Sequence, residues 1–112
     1  MSVSPSPAAP QYTASQQAAI QDANGYLSTE PGFSMQGLID QLEFDKFSAA
    51  DATFAVNHIT VDWDQQAADD AKNYQTTEGG FSCGSMVQQL EFDKFTPEQA
   101  AYGANSVGLG SC

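Results

Sequence analysis

Shifting the chain by 48 residues lays one half on the other. Gln17 falls on Gln65, Ala19 on Ala67, Asp22-Ala23 on Asp70-Ala71 and Tyr26 on Tyr74. Thr29-Glu30 meets Thr77-Glu78, and Gly32-Phe33-Ser34 meets Gly80-Phe81-Ser82. The run Gln41-Leu42-Glu43-Phe44-Asp45-Lys46-Phe47 recurs unchanged from Gln89 to Phe95. Of the 46 pairs from 16/64 to 61/109, 19 are identical, and no gap is needed. Such a period means two copies of one supersecondary unit. A unit this small buries little surface alone, so the two are expected to lean on each other. The chain divides into a flexible Pro/Ser-rich linker over 1–12, a first helical repeat over 13–61 and a second over 62–112 that includes the C-terminal tail.

Helix signals recur in register. Thr13 is followed by Gln16 at capping-box spacing. Ser34 and Ser82 each follow a Phe that can staple onto an apolar residue at N4, Leu38 or Met86. Ser48-Ala-Ala-Asp51 opens a third helix, and its counterpart Thr96-Pro97-Glu98-Gln99 has a cap, Pro at N1 and Gln at N3. Asp62-Trp63-Asp64-Gln65 opens the first helix of the second unit. Apolar spacing agrees: Ala52, Ala55, Val56 and Ile59 fall at i, i+3, i+4 and i+7, and Ala100, Gly103, Ala104 and Val107 repeat them. No stretch alternates with period two. The expected fold is all-α, two tandem three-helix, helix-turn-helix-like repeats packed together, with Phe44, Phe47, Phe92 and Phe95 wedging the corners between second and third helices.

Composition narrows the function. Lys plus Arg total 3 against 14 Asp plus Glu, a net charge of −11. A helix-turn-helix that reads DNA needs cations facing phosphate, and the third and sixth helices carry none, so a nucleic-acid partner is excluded. Anionic membrane surfaces are disfavoured for the same reason. No apolar run is long enough to span a bilayer. One His and two Cys leave no Cys/His zinc site and little for acid–base catalysis. Leu, Ile, Val and Phe total only 20 of 112, and with 16 Ala the helical pattern predicts a thin, Ala-rich core.

The paired blocks Phe33-Ser34, Gly37-Leu38-Ile39, Gln41-Leu42-Glu43-Phe44, Phe47-Ser48 and Phe54-Ala55-Val56-Asn57, with Phe81-Ser82, Gln89-Leu90-Glu91-Phe92, Phe95-Thr96 and Gln99-Ala100-Ala101-Tyr102-Gly103, resemble the Ltp family of host-cell surface-exposed lipoproteins. Trp63, after Asp62, also fits. The resemblance spans about Ser15 to Leu109. It implies tandem helix-turn-helix-like domains that do not bind DNA, held by a lipid anchor on the outside of a Gram-positive-type cell. It further implies superinfection exclusion, in which an incoming phage is stopped from injecting DNA through binding of its tape measure protein. This chain is then the soluble part of an anchored, monomeric protein, without catalysis. The alternative is a bacterial adhesion or envelope-structural module on the same scaffold. Two features depart from the family. The corners carry Lys46 and Lys94 where Gly is common, which predicts a left-handed backbone at a non-glycine residue. The lipobox Cys is not among these residues, and Cys83 and Cys112 lie outside the pattern.

For a protein exported to an oxidising compartment, Cys83 and Cys112 are expected to pair, the glycine-rich tail turning back to allow it, against two unrelated thiols. The family also implies a calcium ion between the repeats, where Asp62 and Asp64 stand with Asn57 and Thr60. Two carboxylates are few for calcium, so carbonyls or Asp69 would have to assist. Asp62 as an N-cap and Asp64 complementing the helix dipole is the alternative. No other cofactor is expected. His58 reads as a partly exposed structural residue, and adjacent Asp69-Asp70 as a solvated helix face. Partner binding is assigned to acidic outer faces, Asp40, Glu43, Asp45 and Asp51 in the first unit and Asp69, Asp70, Glu91, Asp93 and Glu98 in the second, which would attract a basic segment.

Overall fold

The computed structural model describes residues 12–112. Six helices follow one another, α1 (Ala14–Thr29), α2 (Met35–Phe44), α3 (Ala49–Asn57), α4 (Trp63–Thr77), α5 (Cys83–Phe92) and α6 (Pro97–Ser106), and no strand occurs among the described residues. Each helix begins where a short polar side chain satisfies a free backbone N–H. Thr13, Ser34, Ser48, Asp62, Ser82 and Thr96 all accept from the N3 amide. Thr13/Gln16 and Thr96/Gln99 close reciprocal capping boxes, and Ser82/Ser85 closes a third that the sequence did not announce because Ser replaces the usual Glu or Gln.

The corners are built alike. In the first, Lys46 N–H donates to the Glu43 carbonyl and Phe47 N–H to the Leu42 carbonyl. In the second, Lys94 N–H donates to Glu91 and Phe95 N–H to Leu90. These paired bonds are a Schellman ending, which needs a left-handed residue at its centre. Lys46 (φ 79°) and Lys94 (φ 77°) fill that place. Lys46→Gly is therefore expected to raise stability by about 1 kcal/mol, read as a higher urea midpoint.

The expectation of four wedging phenylalanines holds for two. Phe95 is buried and Phe47 packs on the first core, but Phe44 and Phe92 are 77% and 80% exposed. The Schellman turn folds the residue after the left-handed position back onto the helix it ends. The last helical residue, two on from buried Leu42 or Leu90, points to the opposite side.

Each repeat has its own core. Ala19, Ala23, Leu38, Ile39, Leu42, Ala52, Ala55 and Val56 form the first, and Ala67, Ala71, Met86, Leu90, Phe95, Ala100 and Ala104 the second. Small side chains bring α1 against α3 and α4 against α6. At Gly103 the approach is tight enough that a Cβ would meet the Ala67 carbonyl oxygen and Leu90 Cδ1 at 2.8 Å. Gly103→Ala is expected to destabilise the second repeat by about 1–3 kcal/mol in a denaturant titration, although the equivalent position, Ala55, carries the methyl without difficulty.

No helix of one repeat packs broadly along a helix of the other. The repeats meet through loops. Trp63 at the start of α4 packs on the first core, and the Gln66 side-chain oxygen accepts from Gly32 N–H (2.7 Å) and Phe33 N–H (3.0 Å). Ser34 Oγ donates to the Asp93 carbonyl at 2.5 Å, and Lys94 Nζ pairs with Asp40 at 2.6 Å. At the far end Cys83 is bonded to Cys112, their Cα atoms 5.8 Å apart, and Val107 and Leu109 are held on the second core. The linker expectation concerns residues 1–11, which lie outside the described residues, and Tyr12, which does pack: its ring meets Phe54 edge-on at 5.1 Å and His58 at 5.8 Å.

Candidate docking site

The duplicated residues assemble into a duplicated polar network. Tyr26 OH donates to Asp45 Oδ2 at 2.6 Å, and Gln41 Nε2 donates to the Tyr26 oxygen at 3.2 Å. In the second repeat Tyr74 OH donates to Asp93 Oδ2 at 2.7 Å, and Gln89 Nε2 to Tyr74 at 3.0 Å. A second carboxyl, Asp22 or Asp70, stands beside each. The network braces the first helix of each unit against the corner that ends the second.

Asp45 is held below the usual carboxylate range, first by the Tyr26 hydroxyl. Tyr26 is pushed up to about 12 by the same bond, and Tyr74 is raised by burial and by Asp93. The two copies differ at the fourth group. Asp22 rises to about 6 and Asp70 to about 8, burial being the first cause in both and the neighbouring carboxylate the second. The difference comes from the joint between repeats. Gly32 of the first repeat lies so close that a Cβ there would touch the Asp70 backbone at 3.4 Å, whereas Asp22 lines an open surface with Gln21, Asp45 and Phe47. Asp70 Oδ2 is buried with no donor facing it. A proton on Asp70 would satisfy it, and burial together with the neighbouring Asp93 favours that proton.

That arrangement sets a pH dependence. A carboxyl whose folded value is raised to about 8 contributes stability that is complete below its unfolded value near 4 and lost as pH rises through 8. Thermal midpoints are expected to fall between about pH 5 and pH 8.5. Asp70→Asn, whose amide donates to Asp93 at every pH, should flatten that slope and raise the midpoint at pH 8.5 by several degrees. An unchanged slope would refute the raised Asp70 carboxyl.

The acidic faces expected from the sequence are therefore only partly free. Glu43, Glu91 and Glu98 are exposed. Asp40 pairs with Lys94, which with Gln36 holds it below its ordinary value. Asp45 and Asp93 are bound by tyrosines, and Asp69 accepts from Gln65 Nε2 at 3.1 Å. Asp51, half-buried, lies in the first turn of α3. Asp70 is not on a solvated face but half-buried in the joint. Asp62 caps α4 through Gln65 N–H, and Asp64 sits in the first turn. Among the described residues no three His, Cys, Asp or Glu side chains gather as a metal-binding group. His58 stacks on Phe54 with ring centroids 3.8 Å apart, its Nδ1 2.7 Å from the Phe54 carbonyl. Between the repeats lies a cleft of about 360 Å³, lined by Gly32, Phe33, Ser34, Gly37, Asp40, Asp70, Phe92, Asp93 and Lys94. Sequence reasoning missed the exposed Phe92 that forms one wall of it. The unchanged seven-residue copy is the signal for it, although the sequence reading has Phe92 wedging its corner.

Two tandem three-helix units with an acidic surface and a polar joint define a class of small all-helical repeat proteins. The family model described as host cell surface-exposed lipoprotein matches residues 14–59 and 62–107, one repeat each, and the chain belongs to that family. Among solved structures it is similar to Ltp, a superinfection exclusion protein from the Streptococcus thermophilus temperate phage TP-J34. The two share 33% identity with a TM-score of 0.76, over 85% of this chain and 97% of that one. No curated protein sequence matches at a comparable level. Among the described residues no helix is long and apolar enough to cross a membrane.

Proposed function

We propose that this chain is a superinfection-exclusion protein, a non-catalytic docking module at the cell surface that blocks injection of phage DNA by binding the phage tape measure protein. The observation that carries the exclusion part of the reading is the likeness, over 85% of this chain and 97% of that one, to a superinfection exclusion protein. The charge supports the kind of partner: a net −11 steers a basic segment in and repels nucleic acid, and attraction of this sort weakens with salt. A tape measure segment held at the surface leaves the DNA channel shut.

The test is phage challenge of cells displaying the anchored protein, with injection read by plaque count and by entry of labelled DNA. Adsorption is expected to be normal and DNA entry reduced. Uptake equal to control cells, with surface display verified, would overturn the reading. A pull-down with the tape measure protein tests the partner, and an affinity indifferent to salt would defeat its electrostatic part.

A further inference from the structure

Phe44 and Phe92 expose most of a phenyl ring at the same place in both copies, although each corner already has its anchor in Phe47 or Phe95. Packing does not account for them. Their surroundings specify what they suit. Each is the last residue of a helix, α2 or α5, where the dipole is negative and the last turn holds no basic residue. Each lies between two acids, Glu43 and Asp45 or Glu91 and Asp93, of which the glutamates are exposed and the aspartates are fixed by a tyrosine hydroxyl. A phenyl face, two carboxylates and a helix C-terminus all favour a cation. A flat guanidinium uses them best, stacking on the ring while forking to a carboxylate. At the second corner Lys94 is engaged by Asp40, and Phe92 forms a wall of the cleft between the repeats. At the first, exposed Lys46 stands nearby.

We propose that the two corners are equivalent docking points, each receiving an arginine side chain of a basic protein segment on the exposed ring of Phe44 or Phe92 between its flanking acids. This rests on the function proposed above and names the chemistry of its partner. The second corner is the tighter of the two, because the charge of Lys94 is already held. A segment that reaches both gains by their being joined in one chain.

The experiment uses the full chain and two short peptides, one alternating Arg with Gly and one alternating Lys with Gly, titrated by fluorescence anisotropy at about 0.05 M salt. The arginine peptide is expected to bind more tightly. Phe92→Leu, which keeps an apolar side chain but removes the ring, should weaken it about fivefold. Phe44→Leu should weaken it less, and the double variant should abolish the preference for arginine. Since both rings are exposed, circular dichroism and the melting midpoint should not change. A wild-type chain without arginine preference, or a double variant that keeps it, overturns the proposal. So does a double variant that protects displayed cells as well as wild type does. If wild type gives no protection, the function reading falls by itself and the peptide titration still decides the docking points.

Discussion

Truncating Leu90 to Ala is expected to cost the second repeat about 2–5 kcal/mol. Leu90 is fully buried, its Cδ1 lies 2.8 Å from where a Cβ on Gly103 would be, and its carbonyl takes the Phe95 amide that closes the corner. One side chain thus joins α5, α6 and the turn between them. The surrounding core is mostly alanine, with few long side chains able to move into the void. A domain of this size holds only about 0.05–0.15 kcal/mol per residue, so the loss approaches the whole stability of one unit. Because the cores are separate, the first repeat is expected to survive. Trp63 packs on the first core and reports on it. In Leu90→Ala, helicity by circular dichroism should fall at a lower temperature than Trp63 fluorescence changes, and in Leu42→Ala the order should reverse. Coincident transitions by both probes in both variants would show that the loops at the joint bind the repeats into one cooperative unit.

The helices were legible because their signals are local. A cap acts within three residues, and an apolar stripe within two turns, so Thr13, Ser34, Ser48, Asp62, Ser82 and Thr96 each marked a start from the chain alone. The left-handed lysines were legible too, since a turn that asks for Gly constrains whatever residue replaces it. The Tyr–Asp network was not. Its partners are 19 residues apart, and only the corner geometry brings Tyr26 to Asp45. The duplication named all of its members without saying that they touch. Asp70 was beyond reach for a further reason: it occupies the same repeat position as Asp22, and its burial comes from a loop more than 30 residues away in the other repeat. Phe44 and Phe92 were misread because periodicity stops at a corner, where the turn and not the helix decides which side faces in.

Reducing the Cys83–Cys112 bond is expected to lower the stability of the second repeat by about 3–4 kcal/mol, the loop entropy returned to an unfolded chain cross-linked across a 29-residue separation. The first repeat has no counterpart, since Met35 stands where Cys83 does. The asymmetry has a physical reason in the cores. Where the first repeat places Leu38, Ile39, Ala55 and Val56, the second places Met86, Val87, Gly103 and Ala104, so it buries fewer branched carbons. A unit with less apolar volume needs a staple more, and this one also pins the tail that carries Val107 and Leu109 back onto the core. The disulfide suits an oxidising location at the cell surface. With dithiothreitol, or in Cys112→Ser, the urea midpoint read by far-UV circular dichroism should drop for the second repeat, while that read by Trp63 fluorescence stays near its oxidised value. If the reductant moves neither midpoint, the bond contributes no stability and the second core stands on alanine packing alone. If it moves both equally, the joint carries the strain from one repeat to the other and the two do not unfold separately.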